Sequence, residues 1–243
     1  MIQHNKHEVR SRQLLYIIVA TLVFEGILRK FAPGGVSIII FFLKDLLCFT
    51  GIYFIVTSKL TSVSKRIVKM VQVLIILLYP LLCYNILFDP ILLFWGGKLY
   101  LLYTVLAILM TMAFPSHAID KFKIFTLFII VLLIPTVLLG LFQLTLPASH
   151  WLNSSVSGDS LKAFSAAGQL RISSTFSFTG QYSFFLTFAT AIYFCNYFLK
   201  SSRKNIRLDN KLSSIILVLL LFIGCFSTGG KSAVLGFFGI VVL

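Results

Sequence analysis

The stretch "VSIIIFFLKDLLCFTGIYFIV", residues 36–56, is long and apolar enough to cross a lipid bilayer as one helix. A spanning helix needs about 20 mainly apolar residues. The stretch nevertheless carries two adjacent charges near its middle, Lys44 and Asp45. A charge without a partner in the apolar core costs about 2.5–3.5 kcal/mol, so intramembrane charges usually mark a functional interior. The stretch therefore predicts a membrane helix with two charged residues that need either a partner or a function.

The preceding stretch, "FEGILRKFAPG", residues 24–34, ends another apolar run that begins at Leu14. It adds three charges, Glu25, Arg29 and Lys30. Glu25 and Arg29 are four residues apart, so they share one helix face and can form an ion pair. Lys30 lies at the end of the run, where a long side chain can extend to water at the outer interface.

The composition of the whole chain indicates an integral membrane protein. Hydrophobic residues make up 58% of the chain, charged residues make up 12%, and the mean hydropathy is +0.99. A soluble domain is about half apolar and about a quarter charged. The net charge of +14 would suggest a nucleic-acid partner in a soluble protein, but here membrane topology must be considered first.

The apolar runs predict an all-α fold, a polytopic transmembrane helix bundle that forms a single domain over residues 1–243. The final run, 232–243, is too short to cross a bilayer, so we expect the chain to be the N-terminal part of a longer or truncated protein. The predicted spans are 14–31, 36–57, 70–88, 98–114, 124–146, 176–199, 212–228 and the partial run 232–243.

The placement of lysine and arginine predicts a cytoplasmic N-terminus. With that orientation, 14 of the 21 basic residues lie in the inner segments 1–13, 58–69, 115–123 and 200–211, and one, Lys44, lies within a span. The other six are outer: Arg29, Lys30, Lys98, Lys162, Arg171 and Lys231. Inner loops of membrane proteins carry an excess of basic residues. Topology therefore accounts for most of the positive charge, and we expect a lipid bilayer and no nucleic acid as partner.

The charges of the first two spans lie at similar depths. At about 1.5 Å per residue, Glu25 lies about 9 Å and Lys44 about 12 Å below the outer ends of their helices. Because a tight "PGG" turn joins the helices, we predict a Glu25–Lys44 ion pair, and Arg29 as a partner for Asp45. These four charges either fasten the two helices together or contact a ligand directly, and the pattern leaves both interpretations open.

Two polar segments precede later helices. In "RISSTFSFTGQYSFFL", residues 171–186, Arg171 is followed by a polar helix start, and its forked guanidinium suits phosphate or pyrophosphate. "STGGKSAVLG", residues 227–236, lacks the spacing of a phosphate-binding P-loop, because the position five before Gly230 is Cys225. It predicts a glycine-rich break before a helix that begins near Lys231, and a helix start with a lysine favours anions. Each basic residue could equally be an interfacial anchor.

Three segments together resemble the O-antigen ligase and polymerase family of bacterial membrane glycosyltransferases. They are "FEGILRKFAPGG" followed by "FFLKDLL", then "RISSTFSFTGQYSFFL", then "STGGKSAVLG". The first is similar to an opening E-G-x-x-R-K-x-x-x-P with a K-D second helix, and the second to an arginine-led helix start after an outer loop. The third is similar to an S-x-S-R-G/S helix break, with Lys231 where arginine is usual.

The resemblance implies a multi-pass inverting polymerase or ligase of the bacterial plasma membrane. Family members transfer glycan from an undecaprenyl-pyrophosphate-type donor to a glycan or lipid acceptor on the outer face, without a metal or other cofactor. By this resemblance Arg171 and Lys231 would bind the donor pyrophosphate, and Arg29 and Lys44 are further candidates for substrate contact. The family's later outer loop, with further functional arginine and histidine residues, lies beyond Leu243, so the general base stays unassigned.

Two other functions fit the same pattern. A transporter or flippase of lipid-linked glycans would also need charged residues between apolar helices, although it should have them along a path to both faces. A non-catalytic membrane subunit could use Glu25 and Lys44 for assembly. The predicted charges within the spans cluster towards the outer side, which favours an enzyme that acts there.

Overall fold

The computed structural model describes residues 2–58, 65–73, 76, 90–115, 119–154, 171–201 and 211–242. These residues form helices and their connections, with no β-strand among them. The helices are α1 (Ile2–Phe31), α2 (Gly34–Thr57), α3 (Pro90–Ala113), α4 (Ile119–Thr145), α5 (Thr179–Ser201), α6 (Lys211–Ser227) and α7 (Lys231–Val242). The predicted all-α fold, a polytopic transmembrane helix bundle, is confirmed.

Three of the described helices are long and apolar enough to cross a membrane: Gly34–Thr57, Ile119–Thr145 and, within α5, Thr179–Leu199. The apolar parts of α3, α6 and α7 are shorter, spanning Leu101–Ala113, Ser214–Ser227 and Lys231–Val241. The chain is therefore a membrane protein, as its composition predicts. Most of the predicted span 70–88 lies outside the described residues. Its first residues belong to the described segment 65–73, which is helical.

Two helices begin at residues other than the predicted starts of their spans. The fourth span was predicted to begin at Lys98, but α3 begins at Pro90, because the apolar sequence continues before the lysine and proline suits a first helical position. Lys98 therefore lies within a helix. The sixth span was predicted to begin at residue 176, but α5 begins at Thr179, because residues 171–178 make non-helical contacts elsewhere.

The described chain forms two compact units, one of residues 1–19 with 42–119 and one of residues 20–41 with 120–243. In the first unit, α2 and α3 approach closely at Gly51. A methyl group on Gly51 would lie 2.6 Å from the Val105 side chain, so only glycine allows this distance. The prediction of a single domain stays a prediction.

In the second unit, α5 packs against α6 and α7 through small residues. Gly224 of α6 faces Leu186, and Gly236 of α7 faces Thr187, each so closely that an added methyl group would lie 3.0 Å or less from that side chain. Gly230, just before α7, lies near Ser183 of α5, where an added methyl group would be 3.6 Å from the hydroxyl, an ordinary contact distance. The pairs advance along both helices together, so α5 and α7 run in the same direction with their N-terminal ends adjacent.

Candidate functional site

Residues 171–178, which we call the crossing segment, pass directly over α1 at Gly26. A side chain on Gly26 would overlap the backbone of Phe176 and Ser177. The N–H of Ile27 donates a hydrogen bond of 2.7 Å to the carbonyl of Thr175, outside its own helix. The glycine in "FEGILRKF" therefore permits backbone-to-backbone contact between the first helix and the segment that leads into α5.

Beside this crossing lies a charged cluster centred on Arg29. Its Nη1 atom is 3.3 Å from both the Glu25 carboxylate and the Ser177 hydroxyl, and Nε is 3.4 Å from the Ser37 hydroxyl. The guanidinium also lies 4.6 Å from the centre of the Phe41 ring. Glu25 is only 1% exposed, so its charge is stabilised by Arg29 and the Ser177 hydroxyl instead of water. The predicted Glu25–Arg29 pair is confirmed.

Gln143, near the end of α4, fixes the crossing segment from the other side. Its Oε1 accepts a 2.8 Å hydrogen bond from the N–H of Ser174, and its Nε2 donates one of 2.9 Å to the carbonyl of Leu152. The Ser174 hydroxyl donates to the carbonyl of Thr136. These bonds hold Ser174 at a φ of 51°, in the left-handed region that a non-glycine residue adopts only under local constraint.

The turn Trp151–Asn153 completes this side of the unit. Lys30 donates a 2.7 Å hydrogen bond to the carbonyl of Leu152, which links the end of α1 to the turn, and its predicted extension to water at the outer interface stays a prediction. The Nδ1 atom of His150 accepts from the N–H of Leu152, which makes His150 a cap of the turn. Asn153 donates to the carbonyls of Gln143 and Pro147 and so satisfies the end of α4.

The crossing segment and the start of α5 hold polar atoms without a hydrogen-bond partner among the described residues. Five buried atoms are of this kind: Arg171 Nε, Ser173 Oγ, Thr175 Oγ1, Gln181 Oε1 and Tyr182 Oη. The side chains of Ser173 and Thr175 are only 1% and 4% exposed. A buried polar group without a partner lowers the stability of the fold by about 1–3 kcal/mol. Several such groups in one short segment therefore need a reason other than stability.

The turn between α6 and α7, residues 227–231, satisfies its own polar groups. The hydroxyl of Ser227 donates to the carbonyl of Gly224, and that of Thr228 donates to the carbonyl of Cys225. Thr228 Oγ1 also accepts from the N–H of Gly230. Lys231 begins α7 and is exposed, so the predicted glycine-rich break and helix start at this lysine are confirmed.

The two charged residues of α2, Lys44 and Asp45, have different surroundings in the structure. Asp45 pairs with Lys98 of α3, and the Lys98 ammonium lies 5.4 Å from the centre of the Phe42 ring. Asp45 therefore has a partner, Lys98, that was not predicted, and its predicted pairing with Arg29 stays a prediction. Lys44 is buried, with 5% exposure, and its predicted pair with Glu25 stays a prediction.

The second unit thus contains three of the four predicted substrate-contacting residues, Arg171, Arg29 and Lys231, and the first unit contains Lys44. The roles of Gln143 and Gly26 were not predicted from the sequence. Gln143 is the only polar residue between Gly140 and Thr145 within a strongly apolar helix, and this isolation was a usable signal. No signal in the sequence indicated that the backbone of Phe176 lies against Gly26.

No family model, curated protein or solved structure matches this chain. Among the described residues, no group of three or more histidine, cysteine, aspartate or glutamate side chains could hold a metal ion. The arrangement of the crossing segment is therefore the main structural guide to function. It contains a guanidinium, that of Arg171, and the buried hydroxyls of Ser173 and Thr175, which can each donate hydrogen bonds to an anionic group.

Proposed function

We propose that the protein is a polymerase- or ligase-like glycosyltransferase of the bacterial plasma membrane. It would take glycan from a lipid pyrophosphate donor at the outer face and transfer it to a hydroxyl of a glycan or lipid acceptor. The proposal follows the resemblance of three sequence segments to the O-antigen ligase and polymerase family. The chain's membrane character is consistent with a donor that is itself embedded in lipid.

The observation that carries the proposal is the set of unpartnered polar atoms in the crossing segment. Arg171 has a buried Nε without a partner among the described residues, and the hydroxyls of Ser173 and Thr175 follow it at alternate positions. Arginine binds phosphate through parallel charged hydrogen bonds, and hydroxyls can donate to further phosphate oxygens. A bound pyrophosphate would supply partners to atoms that otherwise lack them.

Arg29 and Lys231 have different roles in this proposal. Arg29 is held by Glu25, Ser177 and Ser37, so it positions the crossing segment instead of contacting the donor itself. Lys231 is exposed at the start of α7, whose N-terminal end lies beside that of α5. It contributes a mobile positive charge, which attracts the donor without the fixed geometry of arginine. The acceptor's hydroxyl oxygen would attack the sugar carbon that bears the pyrophosphate. The bond between that carbon and the pyrophosphate oxygen would break, the lipid pyrophosphate would leave with the bonding electrons, and the hydroxyl proton would pass to a base that stays unassigned.

A non-catalytic membrane subunit is the second candidate, and the ion pairs favour it. Glu25 pairs with Arg29, and Asp45 pairs with Lys98, as expected where charges serve assembly. The same role does not account for Arg171 and the neighbouring hydroxyls, which is why we prefer an enzyme. A transporter of lipid-linked glycans has no comparable support from the described contacts.

Arg171 provides the test. Cells that lack the native gene would express Arg171→Lys or Arg171→Ala, and surface glycan would be measured for amount and chain length, normalised to membrane-inserted protein. We expect Arg171→Lys to lose most of the product, because lysine cannot reproduce two parallel bonds to phosphate, and Arg171→Ala to lose at least as much.

The matched control is Arg66, an exposed arginine in the helical residues 65–73. Arg66→Lys and Arg66→Ala should both leave the glycan unchanged. If both Arg171 variants produce wild-type glycan at equal expression, Arg171 is an interfacial anchor and the enzyme proposal loses its main support.

A further inference from the structure

Two aromatic side chains form an exposed pair where the end of α1 meets the turn Trp151–Asn153. The centre of the Trp151 ring lies 5.1 Å from that of Phe31, and the two rings are inclined at 69°. Both remain open to their surroundings, because Trp151 is 46% exposed and Phe31 is 69% exposed. The ring of His150, just before the turn, lies 5.8 Å from Trp151. We call these three rings the aromatic platform.

The backbone beneath the platform is held in one position. The carbonyl of Leu152, next to Trp151, accepts hydrogen bonds from Lys30 and from Gln143. The Asn153 side chain donates to the carbonyls of Gln143, Leu146 and Pro147, at and beyond the end of α4. A tryptophan that only anchors a protein at the membrane surface needs no such fixed backbone, whereas a binding surface does.

The platform also lies beside the proposed donor site. The Gln143 side chain that donates to the carbonyl of Leu152 accepts a hydrogen bond from the N–H of Ser174. Ser174 lies between the two hydroxyls that we propose to bind pyrophosphate. Only the width of one amide group therefore separates the residue after Trp151 from the proposed pyrophosphate site. A sugar bonded to that pyrophosphate must lie next to it, where the platform is within reach.

We propose that the aromatic platform binds a pyranose ring of the donor's glycan, stacked on the exposed part of the Trp151 indole. This inference rests on the proposed function. One face of a pyranose presents C–H groups, which suit the negative face of an aromatic ring. His150 adds a polar contact. Because its Nδ1 accepts from the N–H of Leu152, the neutral ring carries its proton on Nε2, which can donate to a sugar hydroxyl. A lipid chain has no group for that donor.

Tryptophan fluorescence tests the platform without any change at the site. The chain has two tryptophans, so Trp95→Phe leaves Trp151 as the only indole. The purified chain in detergent would be titrated with the glycan repeat unit of the producing cells, released from its lipid by mild acid. We expect a saturable change in the emission of Trp151. An emission that does not respond to the repeat unit would overturn the proposal.

Two substitutions separate the stacking from the hydrogen bond, with binding of a labelled repeat unit measured by equilibrium dialysis. Trp151→Ala should weaken binding roughly 10-fold, through loss of one aromatic contact. His150→Asn keeps an acceptor for the N–H of Leu152 but removes the Nε2 donor, and should weaken binding roughly 5-fold. The matched control is Phe49→Ala, at an exposed aromatic residue of α2, which should leave binding unchanged.

Two results of the dialysis would overturn the proposal. Equal binding by Trp151→Ala and Phe49→Ala would make Trp151 an ordinary interfacial anchor. The repeat unit attached to a short prenyl pyrophosphate should displace the free unit, and binding of both together would assign the platform to the acceptor instead of the donor. Circular dichroism would confirm that each variant is folded. If Trp151→Ala is not, the fluorescence titration and His150→Asn decide the question.

The platform and the proposed function can fail separately, because the free repeat unit carries no pyrophosphate. Binding of the repeat unit at Trp151, together with wild-type glycan from both Arg171 variants, would support the platform and remove the pyrophosphate site. Absence of binding, together with loss of product in the Arg171 variants, would overturn the platform and leave the proposed function in place.

Discussion

The crossing segment and the α6–α7 turn have similar sequences and opposite hydrogen bonding. Both are short and contain serine and threonine, and both include a basic residue and lead into a helix. In the turn, Ser227 and Thr228 bond to carbonyls of their own helix end. In the crossing segment, the hydroxyls of Ser173 and Thr175 are buried and have no partner among the described residues. Two segments of similar composition therefore differ in their hydrogen bonds. The hydroxyls of the turn bond to its own backbone, whereas two hydroxyls of the crossing segment have no partner among the described residues.

The largest expected effect on stability comes from a change at Gly26, where the backbone of the crossing segment lies against α1. Gly26→Ala would force a methyl group into the backbone of Phe176 and Ser177, and backbone atoms cannot move aside as a flexible side chain can. We expect a loss of at least about 3 kcal/mol in unfolding free energy, or failure to fold. Unfolding in detergent, followed by circular dichroism, measures it.

Gly239 of α7 provides the control for that change, because a methyl group there would meet nothing within 4 Å. Gly239→Ala should be neutral or slightly stabilising, since alanine is the better helix former. Equal stability of the two variants would show that the backbone of residues 176–177 does not lie on Gly26.

A smaller loss is expected from Gln143→Leu, which keeps the side chain's size but removes both hydrogen bonds of the amide. The N–H of Ser174 would lose its 2.8 Å bond, whereas Leu152 would keep the bond from Lys30. We expect a loss of about 2–4 kcal/mol, because a buried donor is left unpaired and Ser174 loses part of its constraint. Unchanged hydrogen exchange at the Ser174 amide would contradict this account.

The smallest expected changes in stability come from one threonine substitution in each segment, which compares the α6–α7 turn with the crossing segment directly. Thr228→Val removes a bond to Cys225 and an acceptor for Gly230, and should cost about 1–2 kcal/mol. Thr175→Val removes a buried hydroxyl that has no partner, so it should raise the unfolding free energy by about 1 kcal/mol. Surface glycan should nevertheless fall in Thr175→Val, if the hydroxyl serves the proposed donor. Destabilisation by both variants would remove the distinction between the segments.

Much of the fold could be predicted from the sequence, because apolar runs and their lengths are local properties. The runs at 36–57, 124–146 and 212–228 correspond to α2, α4 and α6 within a few residues. The Glu25–Arg29 pair was predictable for the same reason, since it depends only on spacing along one helix.

The partners of the other charges could not be predicted, because they depend on which helices meet. Lys98 was predicted to be an outer residue, so its pairing with Asp45 was not considered. The spacing of residues 171–186 indicated an anion site, but it could not show that Ser173 and Thr175 lack partners whereas Thr228 has them. That difference depends on Gln143, on α1 and on the local path of the backbone.

The crossing at Gly26 also bears on how the protein is made. Arg29 and Ser177 are 148 residues apart in sequence, so α1 leaves the ribosome long before the segment that covers it. Through that interval Glu25 and Arg29 can already pair with each other, and Arg29 can bond to Ser37 of α2, but the bonds to Ser177 have to wait. Biogenesis must therefore keep a charged first helix at the membrane until a much later part of the chain arrives to enclose it.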